Sequence, residues 1–291
     1  MADRPHMPQR ILIKPRRIDL DVTGRLLDIT PKNAGWEFVH FTVHRIAAGT
    51  QLKVRTHDEE CALVLLSGGG EVRIDDGNAQ PFGPRANVFE SYPHAVYLPD
   101  GHGALFRAAE TSEIAECRAP STKQLDPQVI TPFDCGYEIR GGGNATRQIV
   151  DIMPPSFAAD RLLICEVFTP SGNWSSYPPH KHDVDNPPGE VDLEEIYYYR
   201  MRQPDGYGFQ RLYTADGSRD ETVKVVDGDV VLVRDGYHPY VSAYGIDSYY
   251  LNVLAGTRRS MAASDDPRYA PLRSSWPPPD PRVPLVPRPV R

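Results

Sequence analysis

The sequence lacks any long apolar run. No stretch of the 291 residues approaches the roughly 18 consecutive apolar residues that a membrane-spanning helix needs. The first residues, 1–6, show neither the apolar segment nor the cleavage pattern of a secretion signal. The four cysteines form no CxxC pair, and they are Cys61, Cys117, Cys135 and Cys165. We therefore expect no membrane partner, four reduced thiols and a cytoplasmic protein.

An excess of positive charge is also missing. Thirty-two basic residues stand against 39 acidic ones, and the formal net charge is −7. Nucleic acids and anionic membranes usually select basic surfaces, so this balance predicts neither as a partner. It does not exclude a small anionic ligand, because a pocket in an acidic protein can still be locally positive.

Long helical periodicity is absent as well, apart from one short helix that we predict over 146–153. Short β-branched or alternating runs recur between Gly, Pro and Asp residues, which is typical of strands. The predicted strands are 38–46, 62–66, 70–74, 95–98, 162–169, 196–201, 209–213, 222–226, 230–233 and 249–254. Many short strands at this spacing indicate an all-β sandwich or barrel.

The strand pattern occurs twice along the chain. In the first half a glycine-rich turn at Gly68-Gly69-Gly70 precedes a strand over 95–98, and in the second half Asp227-Gly228-Asp229 precedes a strand over 230–233. This loose repeat predicts two domains of similar architecture. The predicted divisions are 1–130, 131–275 and a proline-rich tail over 276–291, with 120–134 as a linker. We expect the tail to be extended, and either packed on a neighbour or disordered.

The most informative motif is a pair of histidines, His180 and His182, followed by Glu195 and later by His238. Residues i and i+2 of a strand point to the same face, so the pair can present two imidazoles together. Three imidazoles and one carboxylate form a site for a divalent metal that leaves room for substrate. The pattern therefore predicts a metal centre, although an isolated His-x-His pair can also lie on a solvated strand.

Two adjacent carboxylates compete for the acidic ligand position. Successive strand side chains face opposite ways, so only one of Glu194 and Glu195 should reach the metal, and periodicity does not decide between them. Lys181, between the two histidines, should point away from the metal. The histidines of the first half have no ligand spacing, so the first domain is expected to lack a metal site.

Several long blocks resemble one family. They include 140–148, 169–183, 193–199, 208–213, 228–233, 236–239 and 249–256. His-x-His, a later Glu, a glycine-bounded strand and a final His are similar to the two cupin motifs. Twelve residues separate His182 from Glu195, where cupins commonly have three or four, and a narrower family explains this insertion. The blocks look like the 5-deoxy-glucuronate isomerase family of myo-inositol catabolism.

The resemblance implies an all-β bicupin, with two jelly-roll barrels and the metal in the C-terminal one. The implied ligands are His180, His182, Glu195 and His238, and the implied cofactor is a divalent ion such as Mn, Zn, Fe or Ni. The implied reaction is the isomerisation of 5-deoxy-D-glucuronate to 5-dehydro-2-deoxy-D-gluconate. The substrate is then a small anionic sugar acid.

Such an aldose–ketose isomerisation needs groups that carry protons and a cation that holds the substrate carboxylate. Candidates for proton transfer are Tyr197, Tyr250 and Glu190. Candidates for substrate binding are Arg211, Gln210 and Tyr199, with Arg211 as the cationic clamp.

Two other functions fit the same ligand set. A metal-dependent dioxygenase can use a three-His-one-Glu site for Fe(II), and a bicupin can bind sugar acids without turnover. Oxygen consumption separates the first from an isomerase, and the absence of product marks the second. We also expect a homo-oligomer.

Overall fold

The computed structural model describes residues 11–18 and 21–290. The opening residues used for the expectation about secretion, and Arg291 of the predicted tail, lie outside the described part. Within it, the first half contains β1 (Leu12–Ile13), β2 (Gly24–Ile29), α1 (Pro31–Ala34), β3 (His40–Ile46), β4 (Gln51–Arg55), β5 (Glu59–Ile74), β6 (Gln80–Arg85), β7 (Ala95–Leu98), β8 (Gly103–Ala108), β9 (Ser112–Pro120) and β10 (Gln128–Ile130).

The second half begins with β11 (Gly136–Arg140), β12 (Arg147–Met153), β13 (Leu163–Thr169), β14 (Trp174–Ser175), β15 (His180–Lys181) and β16 (Leu193–Met201). It continues with β17 (Tyr207–Tyr213), β18 (Asp220–Val226), β19 (Val230–Val233), β20 (Tyr240–Ser242), β21 (Ser248–Gly256), β22 (Ser264–Asp265) and a 3₁₀ helix over Ala270–Ser275. No helix in 11–18 or 21–290 has the length and apolarity to cross a bilayer.

The strands form one curled sheet system in each half. A nine-stranded sheet has the order β10-β7-β5-β9-β3-β2, with β4, β6 and β8 joined beside this path. A seven-stranded sheet has the order β1-β19-β16-β21-β13-β12-β11, and it faces a four-stranded sheet, β14-β20-β17-β18. All strand pairings are antiparallel except one isolated bridge. β1 belongs to the second system, although its residues precede the predicted boundary.

Three large apolar layers and one small cluster around Leu193 hold these sheets together in the described part of the chain. The largest lies between the two halves and contains Phe41, Phe168, Tyr198 and Tyr249. A second fills the first barrel, and a third lies between the seven- and four-stranded sheets. The third is rich in tyrosine, so polar hydroxyl groups enter the second barrel while the first has an aliphatic and phenylalanine interior. This difference decides which barrel can hold a polar site.

The two halves also exchange matching carboxylate contacts. Glu60 of β5 accepts hydrogen bonds from the backbone N–H groups of 160–162, at 2.7–2.8 Å. Glu194 of β16 accepts the corresponding bonds from the N–H groups of 37–39. A buried pair, Arg85 and Glu166, crosses the same interface with two bonds of 2.7 and 2.9 Å. The predicted repeat is therefore visible as a pseudo-symmetric interface.

The structure differs from the predicted secondary structure at three places. Residues 147–153 form β12 instead of a helix, because this strand is covered on both faces and its sequence shows no alternation. Gly68-Gly69-Gly70 lies within the continuous β5, where the register shifts, and a Cβ on Gly70 would lie 2.0 Å from the Arg107 carbonyl oxygen. The predicted linker contains β10, which pairs with β7.

The proline-rich tail lies on its own chain. It contains no helix or strand among its described residues, and it packs beside the turn between β11 and β12. There Gly143 donates its N–H to the Pro278 carbonyl at 3.0 Å. Further along, the Gln148 side chain makes two hydrogen bonds with the backbone of Val286, at 2.7 and 3.1 Å. Val286 is fully buried. The tail is thus part of the packing around the second barrel.

Candidate metal centre

A cluster of ionisable side chains lies inside the second barrel. The ligand atoms of His182, Glu195 and His238 all lie within 4.8 Å of one another, and the three residues are buried. One Glu195 carboxylate oxygen is 2.7 Å from Nε2 of His182 and 3.2 Å from Nε2 of His238. The Glu195 carboxylate on β16 therefore lies between two imidazoles. That of His182 directly follows β15, and that of His238 lies in the loop before β20.

His180 borders this group. Its ring centroid is 4.8 Å from that of His238 and 6.4 Å from that of His182. Burial, together with the neighbouring imidazoles of His238 and His182, holds the pKa of His180 well below its usual value. A neutral imidazole is the form that binds a metal ion. The structure thus brings all four predicted ligands to one place, three in a tight group and His180 beside them.

The Nδ1 atoms of the histidines are oriented by backbone carbonyl groups. Nδ1 of His182 is 3.0 Å from the Leu193 oxygen, and Nδ1 of His238 is 3.0 Å from the Gly236 oxygen. Nδ1 of His180 is 3.4 Å from the Pro178 oxygen. A carbonyl can only accept, so each Nδ1 carries a proton, and Nε2 is the atom that faces Glu195 in both His182 and His238. This is the usual outer arrangement around metal-binding histidines.

The residues fit a divalent ion. Nε2 of His238 is completely buried and makes no well-aligned hydrogen bond within the described residues, although a Glu195 oxygen lies 3.2 Å away. Buried polar atoms are almost always paired. Burial disfavours the charge of Glu195, but the adjacent His182 and His238 more than compensate and lower its pKa. The result is an ionised carboxylate with three imidazole nitrogens, a donor set suited to Zn, Mn, Fe or Ni.

Glu194 points the opposite way, as strand alternation requires. Its two oxygens accept the backbone N–H groups of Glu37, Phe38 and Val39, the last two at 2.7 and 2.9 Å. Burial raises the pKa of Glu194, and those three donors oppose the rise. The ambiguity left by the sequence is therefore resolved, with Glu195 toward the histidines and Glu194 at the interface between the halves.

Tyrosines form the wall next to the histidines. The Tyr197 ring is 5.8 Å from the His238 ring and 4.6 Å from the Tyr250 ring. The Tyr197 hydroxyl is bonded to Ser176 at 2.8 Å, and the Tyr250 hydroxyl to Ser175 at 2.6 Å. Burial raises the pKa of Tyr250 to about 12 and that of Tyr197 well above its usual value. Both phenols are neutral at physiological pH. No sequence motif marks these two serines, because their contact with the phenols arises only in the folded chain.

Tyr199 and Gln210 lie deeper in the same barrel. The Tyr199 hydroxyl donates to the Gln210 side-chain oxygen at 2.8 Å, and the Gln210 amide donates to the His238 carbonyl at 3.3 Å. Both residues are fully buried. They are linked to the candidate ligands through the backbone carbonyl of His238, so they support the loop that carries this histidine.

The long insertion between His182 and Glu195 is organised by Glu190. One of its oxygens accepts the Lys181 ammonium at 2.8 Å and the N–H groups of Asp183 and Val184 at 3.0 Å. Asp183 in turn pairs with Lys181 and accepts the Gly236 N–H at 2.8 Å. Lys181 thus points away from the histidines, as predicted, and these contacts join the His180–His182 segment to the loop that carries His238.

Arg211 lies on the outside of the barrel. Strand β17 alternates, so Gln210 is buried inward while Arg211 is partly exposed on the opposite face. Its guanidinium makes two bonds of 2.7 and 2.8 Å with Asp220 and stacks 4.1 Å from the Tyr213 ring centroid. The cation predicted to hold the substrate carboxylate is therefore already paired, away from the histidine cluster. Arg147, which sequence reasoning left out, is buried near Tyr250.

The first barrel has a different residue at the equivalent of Glu195. Glu60 and Glu194 make matching contacts, so Cys61, the next residue, takes the place of Glu195. Cys61 is buried with Leu63, Leu98 and Phe106. The other group of possible ligands in the described chain, formed by His57, Asp58 and Asp100, lies on loops, and two of its members are exposed.

Two barrels of this kind in one chain define the class of the protein, a bicupin. A variant of Bacillus subtilis oxalate decarboxylase OxdC superposes with a TM-score of 0.61 at 14% identity, over 90% of this chain and 80% of that one, which shows the shared fold. The crystal structure of an IolB-like protein from Salmonella typhimurium LT2 matches more closely, with a TM-score of 0.86 and 38% identity over 90% of this chain and 98% of that chain.

Within this class, the chain belongs to the KduI/IolB family, whose model matches residues 12–272. A 5-deoxy-glucuronate isomerase of Geobacillus kaustophilus (strain HTA426) is 45% identical over 245 residues, which cover 84% of this chain and 89% of that protein. The family resemblance expected from the sequence blocks is confirmed.

Proposed function

We propose that the protein is a metal-dependent aldose–ketose isomerase that converts 5-deoxy-D-glucuronate to 5-dehydro-2-deoxy-D-gluconate. Similarity to isomerases of that name over most of the chain supports the reaction. The observation that carries metal dependence is the buried group of His182, Glu195 and His238, in which Nε2 of His238 makes no well-aligned hydrogen bond within the described residues.

His180, His182, Glu195 and His238 would hold the ion. Three neutral imidazoles and one carboxylate leave a divalent ion with a net charge of about +1, and when bound it supplies Lewis acidity toward a substrate oxygen. Burial of all the surroundings strengthens this interaction, because water does not screen it. The three imidazoles are oriented by the backbone carbonyl groups described above, so little reorganisation is needed on binding.

The phenols of Tyr197 and Tyr250 are the proposed proton donors. The isomerisation moves a hydrogen from C2 to C1 and shifts a proton between O1 and O2. A neutral phenol held by a serine hydroxyl can donate to a developing oxyanion and recover the proton from the neighbouring oxygen. Tyr199 and Gln210 support the loop of His238. The contacts of Glu190 favour a role in ordering the insertion over a role as general base.

The cellular setting is proposed on chemical grounds. The four cysteines are free and buried, which suits a reducing compartment and supports a cytoplasmic enzyme. A homo-oligomer remains a prediction, and light scattering on the purified protein measures it. The rival dioxygenase activity requires oxygen, and an isomerase requires none.

The test is to follow 5-deoxy-D-glucuronate by NMR in anaerobic D2O, with metal-replete protein and with protein stripped by a chelator. We expect metal-dependent formation of the keto acid. Deuterium at the new hydroxymethyl carbon would show that the transferred hydrogen exchanges with solvent. Binding without conversion in metal-replete protein would refute the isomerase and favour a sugar-acid binding protein.

A further inference from the structure

One buried cation in the second barrel has no acidic partner. Arg147 of β12 is 3% exposed. Its Nη1 donates to the carbonyl oxygens of Tyr177 and Ala145, at 3.1 and 3.3 Å. Within 11–18 and 21–290 it forms no ion pair, and Glu138, the carboxylate on which it acts electrostatically, is already bound by two nitrogens of Arg140. An uncompensated buried charge is costly, and an anionic ligand would compensate it.

Two donors of Arg147 are unused within the described chain. Nε and Nη2 have no acceptor in the described chain, yet neither is among the fully enclosed polar atoms without a partner. Burial lowers the pKa of Arg147 to about 10, so the guanidinium is still charged at neutral pH. Two adjacent N–H groups of an arginine match the two oxygens of a carboxylate.

Arg147 also faces the histidine cluster. On β12 it shares a face with Ile149, which packs with Tyr197 and Tyr250 in the interior of the second barrel. It acts electrostatically on Tyr250 and on His180. Ring contacts lead from His238 through Tyr197 to Tyr250, the tyrosine on which Arg147 acts.

The approach to His180 is anchored to the same arginine. Tyr177, whose carbonyl oxygen accepts from Arg147, directly precedes Pro178-Pro179-His180. The distance between the cation and the first metal-binding histidine is therefore constrained by three residues of chain. A substrate held at both ends would be placed by one rigid segment.

We propose that Arg147 binds the carboxylate of the substrate and selects sugar acids over neutral sugars. This rests on the proposed isomerase function for the identity of the substrate. Arg147 replaces Arg211 in this role, since Arg211 is paired with Asp220 on the outer face. The carbonyl end of the sugar lies at the histidines and the carboxylate end at Arg147, with the tyrosine wall between them.

The test compares metal-replete wild type, Arg147→Gln and Arg147→Lys on 5-deoxy-D-glucuronate and on its neutral C6 amide. We expect Arg147→Gln to lower kcat/KM for the acid roughly 100-fold, mainly through KM, and to change kcat/KM for the amide less than about 3-fold. Arg147→Lys should recover part of the preference for the acid. The control variant is Arg25→Gln, which removes one positive charge from an exposed position in the first barrel.

If Arg147 had a purely structural role, Arg147→Gln would lower kcat/KM equally for the acid and the amide. An equal decrease for both substrates, or no decrease for either, overturns the proposal. The proposal is also overturned if Arg211→Gln, and not Arg147→Gln, loses the preference for the acid over the amide. If wild type turns over neither substrate, the isomerase proposal fails. The role of Arg147 as a carboxylate-binding residue is then tested by calorimetric titration with D-glucuronate and D-glucose. Acid-selective binding that Arg147→Gln abolishes supports the clamp, and binding that is unselective, absent or insensitive to the substitution refutes it.

Discussion

Glu194 and Glu195 are neighbours in sequence with opposite tasks, and exchanging each for glutamine separates metal binding from stability. In Glu194→Gln the amide can accept from at most two of the three N–H groups of 37–39. One unpaired buried donor costs about 1–3 kcal/mol, and losing the charge weakens the remaining bonds by about 1 kcal/mol each. We expect unfolding to become easier by about 4 kcal/mol.

Thermal melting of chelator-treated protein measures this effect. At about 2–4 °C per kcal/mol for a chain of this size, chelator-treated Glu194→Gln should melt about 10 °C below chelator-treated wild type. A separate metal-replete sample of Glu194→Gln should retain its metal after dialysis. Glu195→Gln removes a ligand, and it should lose metal at least 100-fold more readily because even outer contacts are worth about 10–100-fold. Loss of metal in Glu194→Gln with retention in Glu195→Gln would refute the assignment of the two faces.

Three further predictions concern the frame around the site. Glu166→Gln should destabilise the protein by about 3–5 kcal/mol in denaturant titrations, because it leaves Arg85 buried without its counterion; an unchanged midpoint would contradict this. Truncation after residue 275 should lower the melting temperature, because the two bonds between Gln148 and Val286 are lost, and a tail that contributes nothing would leave it unchanged. Burial disfavours the Glu116 carboxylate, but His44 and Arg118 lower its pKa to about 2 from 4.5. Its contribution to folding stability is therefore complete above about pH 4.5 and is lost toward pH 2. Glu116→Gln should flatten this part of the curve of unfolding free energy against pH.

The strands were readable from the sequence where turns bound them sharply. Predicted strands over 95–98 and 230–233 coincide with β7 and β19, because each is a short apolar run between breakers. Residues 147–153 were misassigned as a helix, since both faces of β12 are covered and alternation is lost. Whether β1 would join the first or the second sheet depends on contacts made over more than 200 residues, which local patterns do not contain.

The grouping of the candidate ligand residues was predictable from residue type and spacing, but their surroundings were not. His180, His182 and His238 stand in a motif, whereas Arg147 is one arginine among many until the fold buries it away from acidic side chains. Arg211 looked suitable because it stands on a barrel strand. Its side-chain direction and its pairing with Asp220 are tertiary properties.

The most direct test of the account is to titrate metal-free protein with a divalent ion under nitrogen, while recording metal content and turnover of 5-deoxy-D-glucuronate together. The account predicts activity that rises in proportion to occupancy and saturates at one ion per chain, and His238→Ala should neither bind the ion nor gain activity. Full turnover by metal-free wild type, or an active His238→Ala protein without metal, would contradict it.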